Sequence, residues 1–246
     1  MTPMFVRDDE TRAYYDEFAQ GYETARRPND ATGYHAMLDD LEVGLVERYG
    51  AGKAVLEVGA GTGLLLERIA QFASDAQGVD LSPGMLEKAQ ARGLSVCEGS
   101  ATELPFEDER FDVTCSFKVL AHVPDIGRAL SEMARVTKRG GYVLAEFYNP
   151  YSFRGLVKRF GPAGKISGHT KESAVYTRFD PTWRLPKIMP PGTTLEGWRG
   201  IRIVTPAAAF WKVPVLRDVL RTAEVALSDT PAAHLAGFAV AIIRKN

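Results

Sequence analysis

The stretch Val55-Leu-Glu-Val-Gly-Ala-Gly-Thr-Gly63 decides the fold. An apolar run beginning at Ala54 meets three glycines at alternate positions, and a helical period follows over residues 64–72. Glycines there let the backbone approach a ligand, and the helix start offers free N–H groups. Outward from this unit, apolar runs at 76–80, 94–98, 111–117 and 142–148 read as strands. Helical periods fall at 83–91, opened by Ser82 as N-cap and Pro83 at the first helical position, and from 125 to about 136, closing at Gly140-Gly141. Strand–helix alternation at this spacing implies right-handed βαβ units and a mostly parallel α/β sheet.

The flanks differ. Residues 8–50 read as helical and acidic. Residues 149–192 break the rhythm with Pro, Gly and basic side chains and one expected helix at 151–160. A strand at 198–205, a helix at 213–227 and a strand at 238–244 close the chain. The 246 residues thus read as a single domain (1–246) of four parts: helical cap 8–50, core 53–148, insertion 149–192 and strand–helix–strand ending 193–246.

Composition excludes several classes. With 45% hydrophobic and 25% charged residues the chain is globular. Its longest nearly uncharged apolar run, 235–243, is far short of the roughly 18 residues of a membrane span. Acidic residues 8–10 and the lack of an apolar stretch at the N-terminus argue against a secretory signal. Cys97 and Cys115 have no CxxC partner, so neither a disulfide framework nor structural zinc is expected, and the cytoplasm is the expected location. A net charge of −1 gives no reason to expect a nucleic-acid partner. The charge is unevenly spread: residues 1–149 carry 15 Lys/Arg against 25 Asp/Glu, and residues 150–246 carry 15 against 6. Either the C-terminal third has a different task or two charged faces meet in the fold.

Two acidic residues narrow the ligand. Dinucleotide sites use G-x-G-x-x-G, but position 64 is Leu, and a carboxylate at Glu57 would repel a pyrophosphate while suiting a cation. Asp80, at the end of the second strand, suits two ribose hydroxyls; alternatively it is an acid placed at a helix N-terminus. A nicotinamide-dependent dehydrogenase is therefore the less favoured reading.

The run 55–63, Gly78-Val-Asp-Leu-Ser-Pro-Gly-Met-Leu-Glu-Lys-Ala89, Glu98-Gly-Ser-Ala-Thr-Glu-Leu-Pro-Phe106 and residues 111–125 together resemble class I S-adenosylmethionine-dependent methyltransferases, in the small-molecule branch similar to the ubiquinone/menaquinone-biosynthesis type. The resemblance covers residues 10–148 well. It implies a seven-stranded, mostly parallel Rossmann-like sheet with helices on both faces and a lid insertion, S-adenosylmethionine as cofactor, and methyl transfer to a small organic acceptor. It places Glu57 toward the methionyl amine or the sulfonium region, directly or through water, Gly59, Ala60 and Gly61 along the methionine, Asp80 on the ribose, Leu81 on the adenine face, Ser100 and Ala101 at the adenine edge, and Phe117 at the methionine end. Tyr14-Tyr-Asp-Glu-Phe-Ala-Gln-Gly-Tyr22 resembles the family's helix over the cofactor, with Tyr22 as its contact; capping of the sheet is the other reading. Position 100 commonly holds Asp in this family. Ser there forgoes a charge-assisted bond and is the one feature that favours a non-catalytic binding module.

The cofactor supplies the electrophile, and a hydroxyl or amine acceptor needs its proton removed. His122, beyond the fourth strand, is the candidate base; it could instead only shape the pocket. Oxygen is the favoured methyl acceptor, ahead of nitrogen or carbon. Lys118 either meets an acidic substrate or, the favoured reading, points to solvent, and surface roles are expected for His169 and His234. No Asp/Asn cluster calls for a metal. Asn149-Pro150-Tyr151 reads as a loop ending a strand. The insertion, with eight Lys/Arg among aromatics, would cover the substrate side and meet an apolar acceptor with an anionic group, a membrane surface, or the acidic N-terminal half. Phe210 and Trp211 add an aromatic wall or pack in the core. Oligomeric state is left open.

Overall fold

The computed structural model describes residues 8–26, 32–152 and 176–246. Helices α1 (Asp8–Arg26) and α2 (Tyr34–Gly50) precede β1 (Ala54–Val58), α3 (Leu64–Ile69), β2 (Asp75–Asp80), α4 (Pro83–Ala91), β3 (Ser95–Glu98), β4 (Phe111–Ser116), α5 (Ile126–Val136) and β5 (Thr137–Tyr148). Then come β6 (Thr193–Ile201), α6 (Pro214–Leu227) and β7 (Phe238–Lys245). The expected helix at 151–160 lies outside the described residues. The seven strands run β3-β2-β1-β4-β5-β7-β6. The first five are parallel, and β7 lies antiparallel between β5 and β6. The order reverses between β1 and β4, and ligands bind above the carboxyl ends of strands at such a reversal.

Strand periodicity explains the two-layered core. Leu56 and Val58 point to the face covered by Leu130 and Met133 of α5. Val55 points to the other, with Leu38 and Leu45 of α2 and Ile69 of α3. Alternation therefore puts Glu57 on the α2 face, inside an apolar layer. Helix starts follow local chemistry: Ser82 Oγ accepts from Met85 N (3.2 Å), and Asp125 accepts from Arg128 N (3.0 Å).

Three element boundaries differ from expectation. Helix α3 ends at Ile69, not residue 72. The helix expected to close at Gly140-Gly141 stops at Val136, and β5 begins at once. Thr137 Oγ1 donates to Met133 O (2.7 Å), while Glu109 N and Arg110 N take the carbonyls of Arg135 and Val136. The two glycines lie inside the strand, where β4 and β5 shift register and a Cβ on Gly141 would fall 2.5 Å from Asp112 O. The strand expected at 198–205 is β6, 193–201, because Arg202 turns the chain at φ 64°. The amides of Ile203, Val204 and Thr205 leave the sheet and donate to Glu224, fully buried in α6, at 2.7, 3.0 and 2.8 Å.

Two ion pairs join the basic end to the acidic start: Arg221 pairs with Asp40 and Lys245 with Glu109.

Replacing Glu224 with Ala strands three amides, two of them buried. Glu224→Ala is expected to lower unfolding stability by about 3 kcal/mol or more, read as a lower denaturant midpoint at unchanged slope.

Candidate active site

A cavity of about 350 Å³ opens at the carboxyl edge of β1, β2 and β4. Its size suits a nucleotide-sized ligand. The eleven residues assigned from the sequence to the cofactor or to catalysis line it: Tyr22, Glu57, Gly59, Ala60, Gly61, Asp80, Leu81, Ser100, Ala101, Phe117 and His122. Tyr15, Phe18, Arg26, Thr102, Val119 and Tyr148 line it as well and were not foreseen. For α1 the signal was present, since Tyr15, Phe18 and Tyr22 recur at helical spacing on one face.

The glycine loop is built for close approach. Gly59 N and Ala60 N donate to Val79 O (2.7 and 3.1 Å) and tie the loop to β2. Gly59, Gly61 and Gly63 all have positive φ. A Cβ on Gly59 would fall 2.2 Å from Val119, whereas one on Gly61 meets nothing within 4 Å. The tight helix–strand contact that dinucleotide sites obtain from their third glycine is supplied here from the neighbouring strand. A Cβ on Gly78 would lie 2.7 Å from both Ala60 and Leu66.

Asp80 is fixed by Gly61 N on Oδ2 (2.8 Å) and Ser82 N on Oδ1 (2.9 Å). Burial raises its pKa against the pull of those donors. Glu57 is 3% exposed, and its Oε2 is buried with no partner among the described residues. Burial, reinforced by Glu42, holds its carboxyl well above the usual range. Ser100 Oγ lies 2.9 Å from Thr102 Oγ1.

Lys118 does not simply point to solvent as expected: its side chain is 20% exposed, lines the cavity and is engaged in an ion pair. Its Nζ lies 2.7 and 2.6 Å from the two oxygens of Glu42, itself wholly buried in α2. Burial works against the ammonium, but Glu42 and Asp39 outweigh it and raise its pKa. The backbone of Lys118 is left-handed (φ 62°), and its N–H donates to Glu146 Oε1 (2.9 Å). Arg26 of α1 joins the same cluster through Asp39 (2.6 Å).

Helix α1 is held over the cavity by α4. Asp16 Oδ1 accepts from Ser82 Oγ (2.5 Å) and Gly84 N (2.9 Å) at the α4 N-terminus, where the dipole favours an anion. Glu23 pairs with Arg92 (2.8 Å), and Lys88 donates to Ala19 O.

His122 sits on a turn, Leu120–His122, between the rings of Tyr15 and Tyr148. Its Nδ1 lies 2.9 Å from Tyr176 O. A carbonyl only accepts, so Nδ1 carries the hydrogen and the neutral ring keeps its lone pair on Nε2. Burial lowers the pKa, opposed by the bond to Tyr176. The end of the insertion thus crosses the cavity edge, and Arg178 N donates to Ala121 O (2.8 Å). Of its basic residues, Arg154, Lys158, Arg159, Lys165 and Lys171 lie outside the described residues, as does His169. Arg178 is taken by Asp180, and Arg184 and Lys187 are exposed.

Other expectations resolve simply. Asn149 Nδ2 donates to His234 O and Ala236 O, ending β5 as a loop device. Trp211 packs in the core against Tyr34, while Phe210 and His234 are exposed. No helix among the described residues is long and apolar enough to cross a membrane.

Comparison with known proteins agrees with the geometry. Residues 56–145 match the family model described as a methyltransferase domain. The chain is 38% identical over 158 residues to a demethylmenaquinone methyltransferase of Renibacterium salmoninarum, covering 58% of this chain and 61% of that one. It is 32% identical over 168 residues to the protein of the same name in Mycobacterium tuberculosis, covering 63% and 70%. The chain spans 46% to 61% of the length of the first four such relatives. In fold it resembles an S-adenosylmethionine-dependent methyltransferase of Thermotoga maritima, described as a possible histamine N-methyltransferase. The TM-score is 0.68 at 23% identity, over 94% of this chain and 98% of that one.

Asp16→Ala removes the acceptor that docks α1 on α4. It is expected to speed amide exchange of α1 roughly tenfold, for about 1–2 kcal/mol of local stability, while exchange in β1 and β4 stays unchanged.

Proposed function

We infer the activity from membership: the chain belongs to the class I S-adenosylmethionine-dependent methyltransferases of the demethylmenaquinone type. It transfers a methyl group from S-adenosylmethionine to a small, largely apolar organic acceptor bearing a hydroxyl, with oxygen the favoured methyl acceptor. The name shared by the relatives, demethylmenaquinone methyltransferase, supports a quinone-type ring compound as that acceptor.

The observation that carries this reading is the pairing of Glu57 with Asp80 around one glycine loop. Glu57 brings a buried carboxylate oxygen without a partner among the described residues, which suits the methionyl ammonium. Asp80, with its oxygens oriented by Gly61 and Ser82, retains lone pairs for two ribose hydroxyls. A pyrophosphate would meet Asp80 and gain nothing from Glu57, which disfavours a dinucleotide. Leu81 and Met85 offer apolar contact to a base, and Ala101 and Thr102 lie beside it. Ser100 shares its hydroxyl with Thr102 and offers a weaker acceptor than a carboxylate would.

When bound, the cofactor supplies an electrophilic methyl on a sulfonium. The chain's part is to orient and exclude water. Tyr15, Phe18 and Tyr22 roof the cavity, and Phe117 and Val119 close the methionine end. His122, its tautomer set by Tyr176, would receive the acceptor's hydroxyl proton at Nε2 and leave the negative charge on the acceptor oxygen. On a phenol that charge is shared with the ring, so the same base serves an attack from carbon.

Asp80→Ala is expected to weaken S-adenosylhomocysteine binding by tenfold or more in calorimetry, with no NADH binding in either protein; unchanged affinity removes the ribose assignment. His122→Ala is expected to lower turnover about 100-fold with cofactor affinity within twofold. Because burial lowers the pKa of His122, the wild-type rate is expected to hold at neutral pH and to fall only as pH drops through a value below the usual ~6.5. Full activity of the variant leaves His122 only a shaping role.

A further inference from the structure

At the wall of the cavity four carboxylates, Asp39, Glu42, Glu57 and Glu146, gather against two cations, Lys118 and Arg26; Glu57 and both cations line the cavity itself. Glu42, Glu57 and Glu146 are 0%, 3% and 1% exposed. Both cations are committed to α2: Lys118 to Glu42 and Asp39, Arg26 to Asp39. Glu57 and Glu146 are left with a buried Oε2 each that has no partner among the described residues.

The other groups facing the cluster bring Glu57 no positive charge. Tyr22 of α1, Cys115 of β4 and Tyr148 of β5 all have raised pKa values, chiefly through burial, and are neutral. His35 of α2 is pushed down to about 4 by burial and the nearby Arg26, so it too is neutral. Asp80 adds negative charge from β2. Arg202 acts on His35. Two buried charges without counterions are costly, and such groups bind protons instead. With Glu57 and Glu146 neutral, Asp39 and Glu42 balance Arg26 and Lys118.

We propose that Glu57 is protonated while the cavity holds no cation and surrenders that proton to solvent when an ammonium enters beside it, so that the cavity selects nucleosides carrying an amino-acid moiety over those without one. This rests on the cofactor reading above. The entering cation replaces the proton's charge, and the O–H bond of Glu57 is the only bond broken. Burial supports the storage, holding Glu57 well above the carboxylate range and Glu146 up to about 8. Glu42, Glu146 and Lys118 act through Glu57 as positioning residues.

Calorimetry at pH 6 to 8, in buffers of different ionisation enthalpy, tests the exchange with S-adenosylhomocysteine and with methylthioadenosine, which lacks the amino acid. The expected result is release of about one proton per S-adenosylhomocysteine bound and affinity rising toward tenfold per pH unit. Methylthioadenosine should release none and bind independently of pH. Glu57→Gln should abolish the release, flatten the pH dependence and bring the two ligands to similar affinity. Glu146→Gln, isosteric with the neutral acid, should preserve the release. Buffer-independent enthalpy with intact S-adenosylhomocysteine binding, or loss of release in Glu146→Gln, overturns the proposal and leaves the cofactor reading standing. Failure to bind S-adenosylhomocysteine at all overturns that reading. The proton is then read in the ligand-free protein, where an infrared band of protonated carboxyl at neutral pH that weakens in Glu57→Gln supports storage, and its absence overturns it.

Discussion

A carboxylate buried at the end of a parallel strand is the constraint on which the rest of the molecule turns. Strand alternation puts Glu57 on the same face as Val55, into the layer that α2 covers with leucines. A charge there is tolerated only if something compensates it. Lys118 and Arg26 are close by but spent on Glu42 and Asp39. Glu57 Oε2 is thereby left without a partner among the described residues, at the wall of the cavity.

The surrounding fold serves that arrangement. The reversal of strand order between β1 and β4 opens the space, and the glycines of the loop and Gly78 let the backbone draw close to β2 without filling it. Lys118 adopts a left-handed backbone that few side chains take, held there by Glu146. Helix α1 covers the opening and is fastened by Asp16 to the start of α4, beside the turn that orients Asp80. Asp80 and the covering helix therefore depend on neighbouring backbone amides, those of Ser82 and Gly84.

Much of this was legible in the chain. The strand–glycine–helix unit, the N-cap at Ser82 and the acids at positions 57 and 80 are local signals, set by neighbours within a few residues, and the structure puts the glycine loop and both acids at one cavity. What escaped was set at long range. The fate of Lys118 depends on Glu42, 76 residues away, and no local pattern announces that pair. The start of β5 was hidden because Thr137 and the loop at Glu109 take the last helical carbonyls of α5, freeing Gly140 and Gly141 to shift a register. The end of β6 was misjudged because Ile203, Val204 and Thr205 look like strand by composition, yet their amides answer to a carboxylate on α6.

The most direct test of the cavity's charge logic is a crystal structure of the protein with S-adenosylhomocysteine. The expected picture has the ligand's ammonium within about 3 Å of a Glu57 oxygen and both ribose hydroxyls on Asp80. A nucleoside bound with its amine turned away from Glu57 and its ribose away from Asp80, or lying outside this cavity altogether, would contradict it.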